Sequence, residues 1–325
     1  MSTADRSLAL PDLAAIRAAH ARIAPHVHRT PVLTCSSLDA AVGARLFFKC
    51  ENFQRIGAFK ARGAVNAVFA LPQAQATRGV VTHSSGNHGA AIAYAAARRG
   101  VRACVVMPDS APRIKQHNVR SLGATIEYCG PTGAAREARC RDVQLATGAT
   151  LVHPFDDVDV IAGQGTAALE LLDEIPDLDC IVAPIGGGGL LSGTAIASKG
   201  VRPDIRVVGT EPANADDAAR GFRSGVVEPV ASTTTIADGL RSPLAPRTLR
   251  AIRMHVEAVA TASEASIVDA MRLVWERMKI IVEPSCAVPI AALLERTLAL
   301  DGLRVGVILS GGNVDLDHLP WQKPV

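Results

Sequence analysis

Short apolar runs alternate along the chain with longer segments whose apolar residues recur every three to four positions. From Gly79 onward the alternation is regular. Residues 80–83, 103–107, 125–128 and 150–153 read as strands, separated by helices over about 89–99, after Pro112 and over about 134–146. A second series places strands at 180–184, 206–210 and 305–309, with helices at about 166–175, 190–198, 263–277 and 284–298. Upstream, Pro11 and Asp12 open a helix carrying Leu13, Ile16 and Ile23, and His28-Arg29-Thr30-Pro31 stops it. Residues 45–50 (RLFFKC) read as a strand, and a helix runs from the stretch around Lys60 to about Leu71 with Val65, Val68 and Phe69 inward. Short apolar strands alternating with helices imply right-handed βαβ units and parallel sheets. The expected fold class is α/β, with two open parallel-sheet lobes and a cleft between them. The larger lobe would take residues 1–77 plus 154–325, and the smaller 78–153.

Composition narrows the class of protein. At 325 residues, 48% hydrophobic and 20% charged, the chain resembles a soluble enzyme, and a net charge of +3 without a basic, aromatic-laced stripe gives no support for nucleic-acid binding. Seven cysteines, an odd number without CxxC spacing, argue against a disulfide framework or a zinc site. No apolar leader or membrane-length run is found, so no membrane association and a cytoplasmic location are expected.

The candidate chemistry lies in Gly- and Ser-rich turns. Gly57-Ala58-Phe59-Lys60-Ala61-Arg62-Gly63-Ala64 sets a lysine among small and apolar residues. Buried, its amine would have a lowered pKa and could form a Schiff base; exposed, it would snorkel from a helix's first turn. Ser84-Ser85-Gly86-Asn87-His88-Gly89, between a strand and a helix, is either an anion nest or an ordinary capped turn. Gly186-Gly187-Gly188-Gly189 offers unobstructed backbone amides of the kind that cradle phosphate, although it is neither a P-loop nor GxGxxG. Ser310-Gly311-Gly312-Asn313 follows the last strand, at the sheet edge where open α/β folds bind ligands. Glu211 and Asp217 could ligate a hard cation such as magnesium, or cap a helix. His153 and His255 read as structural.

Taken in order, GAFKARGA, SSGNHG, HPFDD…IAGQGT (153–166), PIGGGG (184–189), EPANADD (211–217) and SGGN (310–313) resemble the fold-type II pyridoxal-phosphate enzymes, in the branch of serine racemase and the serine/threonine dehydratases. The resemblance covers nearly the whole chain. It implies that Lys60 carries pyridoxal 5'-phosphate, that Phe59 packs on its ring, that Gly186, Gly187, Gly188 and Gly189 hold its phosphate, that Asn87 bonds its phenolic oxygen and that Ser310 pairs with its ring nitrogen. It further implies that Ser84, Ser85, Asn87 and His88 surround the substrate carboxylate and that Arg136 reaches the active site. Glu211, the carbonyl of Ala215 and Asp217 match that branch's site for Mg2+, Mn2+ or Ca2+, and a homodimer is implied.

Departures shape the expected activity. Ala58 replaces the usual serine, as on the hydroxyaspartate-dehydratase side of the family, and HPFDD with Phe155 is the dehydratase form. Ser85 permits a second acid/base on the face opposite Lys60, as in racemases. The expected function is β-elimination from a 3-hydroxy-L-amino acid (serine, threonine, threo-3-hydroxyaspartate or phenylserine) to a 2-oxo acid and ammonia. The alternatives are a serine or aspartate racemase using Lys60 and Ser85, and a nucleotide-binding regulatory protein.

Overall fold

A computed structural model describes residues 8–84, 86–111, 113–232 and 234–322. The elements, in chain order, begin with α1 (Leu13–Ile23), β1 (Val32–Leu33), α2 (Ser36–Val42), β2 (Arg45–Cys50), α3 (Lys60–Ala70) and α4 (Gln73–Ala76). Next come β3 (Val80–His83), α5 (Asn87–Arg99), β4 (Ala103–Pro108), α6 (Arg113–Ser121), β5 (Thr125–Cys129), α7 (Gly133–Thr147) and β6 (Thr150–Leu151). The chain continues through α8 (Val158–Glu174), β7 (Cys180–Pro184), α9 (Gly189–Val201), β8 (Arg206–Pro212), α10 (Asp217–Ser224) and α11 (Pro246–His255). It ends with β9 (Ala258–Ala262), α12 (Glu264–Met278), α13 (Pro284–Leu294) and β10 (Arg304–Leu309).

Two sheets form. The larger has the order β1-β2-β10-β7-β8-β9, parallel except for the antiparallel edge pair β1–β2; the smaller has the order β5-β4-β3-β6 and is parallel throughout. The larger sheet is covered on both faces, which is why its strands read as continuous apolar runs rather than alternating ones. Leu46, Phe48, Val182 and Val307 point to α12 and α13, whereas Phe47, Ile181, Val207 and Ile308 point to α8, α9 and α11. The two-lobed parallel α/β class expected from the sequence is therefore observed.

Three expectations shift. The helix placed at 166–175 starts at Val158, where the Asp157 carboxylate accepts from the amides of Asp159 and Val160. Gly163 and Gly165 hid that start, because glycine usually lowers helix propensity. Here they admit close helix crossings: a Cβ on Gly163 would stand 2.6 Å from the Arg62 carbonyl, and one on Gly165 2.7 Å from the Gly193 carbonyl. Strands β1 and β9 were not anticipated; both are edge strands with weak apolar patterns. Finally, Val65 and Val68 of α3 are buried in the core of the smaller sheet, so the helix that begins with Lys60 is shared between the lobes.

Candidate active site

The parallel order brings the motifs to one edge. Strands β2, β10 and β7 are neighbours and end on the same side, so the segments that follow them converge: the Lys60 stretch, Ser310 to Asn313, and the four glycines. The Lys60 stretch is stitched across the SGGN turn. Ala58 bridges Gly311, the Phe59 amide donates to the Ser310 carbonyl at 3.0 Å, and the Gly312 amide donates to Gly57 at 3.0 Å. Lys60 is thereby held at the start of α3. Its Nζ donates to the Pro154 carbonyl at 2.8 Å and lies 5.1 Å from the Phe59 ring centroid. Lys60 is half-buried, and the loss of solvent around its amine disfavours the ammonium form and lowers its pKa to about 8, which favours the nucleophile reading of the stretch.

One helical step below, Arg62 anchors this segment in the core. Its guanidinium donates to Glu51 at 2.7 and 2.8 Å and to both oxygens of Glu170 at 2.8 Å, and Lys49 adds a 2.7 Å bond to Glu170. All four side chains are buried. Two cations and two carboxylates balance, as a buried ionic cluster must if it is not to be strongly destabilising.

The glycine loop leaves its amides open. Those of Gly186, Gly187 and Gly188 donate to nothing among the described residues, and α9 starts at Gly189, adding the positive end of its dipole. No side chain would fit behind them. A Cβ on Gly186 would lie 2.9 Å from the Gly239 carbonyl, one on Gly187 would overlap the Phe155 ring, and Gly188 has φ +85° with Leu244 2.7 Å away.

Across the cleft, the turn after β3 carries Ser84, whose hydroxyl accepts from the Gly86 amide at 3.1 Å. Ser85 lies outside the described residues. Asn87 opens α5, and its Nδ2 donates to Glu283 at 2.9 and 3.3 Å while its Oδ1 accepts from Asn313 at 2.9 Å. His88 is buried, with Nε2 3.3 Å from the Val152 carbonyl and an Nδ1 that has no partner among the described residues. Burial, reinforced by Lys60, holds it well below the usual histidine pKa, hence neutral.

His83, at the end of β3, meets His153 edge-on at 5.2 Å, and His153 meets Phe155 at 4.7 Å. His153 Nδ1 accepts from the Asp156 amide at 2.9 Å. Burial, His83 and Lys60 lower its pKa to about 3, so the ring is neutral with its proton on Nε2. Arg136, on α7, has a buried Nε without a partner among the described residues, and its charge adds to burial in lowering the pKa of His83. His153, read from sequence as structural, is half-buried and packed between His83 and Phe155, with its Nδ1 taken by backbone.

Glu211 and Asp217 are both buried. The Glu211 carboxylate accepts from the amides of Ala218 and Ala219 at the start of α10. Burial, and then Asp217, raise Glu211 to about 8; burial raises Asp217 to about 6. Ala215 is buried in the turn just before. Among the described residues no group of three or more His, Cys, Asp or Glu side chains could hold a metal ion.

Sequence reasoning missed Glu283, His83 and Arg62. Glu283 carried one available signal, its place before Pro284 at a helix start. His83 ends β3, and His153 follows two residues after β6, which pairs with it.

An α/β protein with a half-buried lysine, a bare-amide glycine loop and a buried neutral serine, Ser310, beside them has the parts to hold a phosphorylated aldehyde cofactor. The chain belongs to the pyridoxal-phosphate dependent enzymes, whose family model matches residues 23–311. It is 52% identical over 305 residues to the beta-hydroxyaspartate dehydratase of Paracoccus denitrificans (strain Pd 1222), covering 94% of this chain and 97% of that one. Among solved structures it resembles maize serine racemase, at TM-score 0.93 and 47% identity over 95% of each chain. It also resembles the T.th. threonine deaminase, at TM-score 0.89 and 44% identity over 94% of this chain and 99% of that one.

Proposed function

We propose that this enzyme is a dehydratase that removes water from a 3-hydroxy-L-amino acid, with 3-hydroxyaspartate the preferred member of the set, and releases a 2-oxo acid and ammonia. The observation that carries the preference is Arg136, whose buried Nε has no partner among the described residues and stands near His83. A buried guanidinium nitrogen without an acceptor is costly, and a second substrate carboxylate would supply one. The 52% identity to a beta-hydroxyaspartate dehydratase supports the same choice.

Lys60, Phe59, Asn87, Gly186 to Gly189 and Ser310 would hold pyridoxal phosphate, which when bound draws electron density from the substrate α-carbon. The Lys60 amine, neutral in substantial fraction near pH 8, takes the α-proton. Ser84, Ser85, Asn87 and His88 would orient the α-carboxylate, and Ser310, an uncharged hydroxyl, would face the ring nitrogen without a negative charge to hold a proton there. For 3-hydroxyaspartate, water departs and then returns to hydrolyse the released enamine, giving oxaloacetate and ammonia. Ammonia release from a panel of 3-hydroxy-amino acids tests the reading: Arg136→Gln should lower kcat/KM for hydroxyaspartate about 10- to 100-fold while sparing serine, the range of one charged hydrogen bond. Equal loss on both substrates would remove the assignment.

Racemisation is the second reading, supported by the likeness to maize serine racemase and by Ser85 in the sequence. Ser85→Ala should then abolish enantiomer exchange and leave dehydration.

Glu211, Asp217 and the Ala215 carbonyl are proposed to bind Mg2+ or a similar cation. Two buried carboxylates support this, because the nearby Arg220 is engaged by Asp216 and Glu228. A homodimer, a cytoplasmic location and the division into 1–77 plus 154–325 and 78–153 complete the reading. Exposed apolar Phe53, Ile281 and Leu316 support the first, and sheet membership supports the last. No described helix is long and apolar enough to cross a membrane.

A further inference from the structure

We propose that Glu283 is a positioning residue for Asn87, fixing which edge of the Asn87 amide faces the cofactor and tying the smaller lobe to the larger as it does so. The inference rests on the reading of Asn87 as a cofactor-binding residue.

An asparagine amide has one acceptor oxygen and two N–H donors, and its orientation follows from its partners. Here the partners leave one choice. Asn313 Nδ2 donates to the Ile56 backbone carbonyl at 2.8 Å, and a carbonyl can only accept, so the nitrogen of Asn313 is fixed. That nitrogen also faces Asn87, which must therefore present Oδ1 to it, at 2.9 Å. Asn87 Nδ2 is then turned to Glu283, whose carboxylate accepts at 2.9 and 3.3 Å. A flipped amide would set oxygen against carboxylate on one side and nitrogen against N–H on the other. One N–H of Asn87 remains for an acceptor in the cleft.

Glu283 is itself rigidly placed. Its amide donates to the Gly311 carbonyl at 3.0 Å, and a Cβ on Gly311 would stand 2.6 Å from its Oε1, so the carboxylate rests on the turn that also pairs with Ala58 beside Lys60. The contact crosses the cleft, because Asn87 starts α5 next to the smaller sheet and Glu283 precedes α13 on the larger. A second crossing lies close by, where Lys115 of α6 pairs with Asp238 at 2.8 Å. Burial and Asp238 push the Glu283 carboxyl up to about 7, opposed by Asn87, Lys115 and the Asn313 backbone.

The test is a double-mutant cycle read as cofactor retention. Holoenzyme is dialysed and the remaining bound pyridoxal phosphate is followed by its absorbance, for wild type, Glu283→Ala, Asn87→Ala, the double variant and Glu283→Gln. Loss of one charge-assisted bond is expected to weaken retention about tenfold in each alanine single variant. The double variant should be no worse than either single, and Glu283→Gln, which keeps an oxygen for Asn87, should stay close to wild type. Full, additive loss in the double variant would overturn the proposal, as would wild-type retention in Glu283→Ala when Asn87→Ala loses the cofactor. Wild-type retention in Asn87→Ala would instead sink the reading of Asn87 and the proposal with it. If Glu283→Ala melts below the assay temperature, Glu283→Asp, one methylene short of Asn87, takes its place in the cycle.

Discussion

Lys60 Nζ donates to the Pro154 carbonyl at 2.8 Å, joining the first residue of α3 to the segment that leaves β6. The bond holds the amine without neutralising a charge, and burial then sets its proton affinity. The Lys60 pKa falls from 10.5 to about 8. Below about 8 the amine is protonated and not nucleophilic. The rate at which stripped enzyme recaptures pyridoxal phosphate should therefore rise with pH and level off above about 8, where an ordinary lysine would still be climbing. Stopped-flow absorbance measures this, and a profile still rising at about pH 10, as for an ordinary lysine, would refute it.

Arg62 should be the residue whose loss most damages the fold without touching the cleft. Removing one member of a buried ionic set leaves the others uncompensated, and Arg62→Ala is expected to cost about 3–5 kcal/mol in denaturant unfolding. Acid should reach the same cluster. Burial would raise the Glu170 pKa, but the hydrogen bonds from His20 and Arg62 and the charges of Arg62 and Lys49 outweigh it and hold the carboxyl well below its usual 4.5. A depressed carboxylate contributes stability that is complete above 4.5 and is lost as pH falls below it. Unfolding midpoints in wild type should therefore drop below about pH 4.5, and in Glu170→Gln the drop should be smaller.

Gly188→Ala puts a Cβ where φ is +85° and Leu244 is 2.7 Å away. Strain of about 1–3 kcal/mol is expected, together with a displaced start of α9. Thermal melting should record the first, and weaker retention of pyridoxal phosphate the second.

Chelation should act through Glu211 and Asp217. Treatment with EDTA is expected to lower the melting temperature by several degrees, and added Mg2+ should restore it. Glu211→Gln should no longer respond to either reagent. A wild type indifferent to both would remove the cation from the proposal.

The sequence announced the site more fully than it announced the scaffold. The four glycines stood out by composition alone, whereas Lys60 and Ser310 were legible only through the order of motifs that the chain shares with a known family. Strands β2, β7 and β10 were legible because both faces are covered. Edge strands β1 and β9 were not, since each pairs on one side only and carries little apolar pattern. The contact of Glu283 with Asn87 was not legible for a different reason: the two are 196 residues apart, and the signal of Glu283 before Pro284 marks only a helix start. The meeting of His83 with His153 was not legible, because it depends on β3 pairing with β6.

The bare-backbone crossings between helices carry a genetic consequence. Gly163 of α8 presses on Arg62 and Gly63 of α3, and Gly193 of α9 presses on Gly165 of α8. These contacts gauge the spacing between the helix that starts with the lysine and the helix that starts at the glycine loop. A single added methyl group at any of them acts as a shim, pushing the two helix starts apart. Random mutagenesis scored for lost growth or lost colour should therefore recover Gly63, Gly163, Gly165 and Gly193, although none of them belongs to the proposed cofactor or substrate contacts.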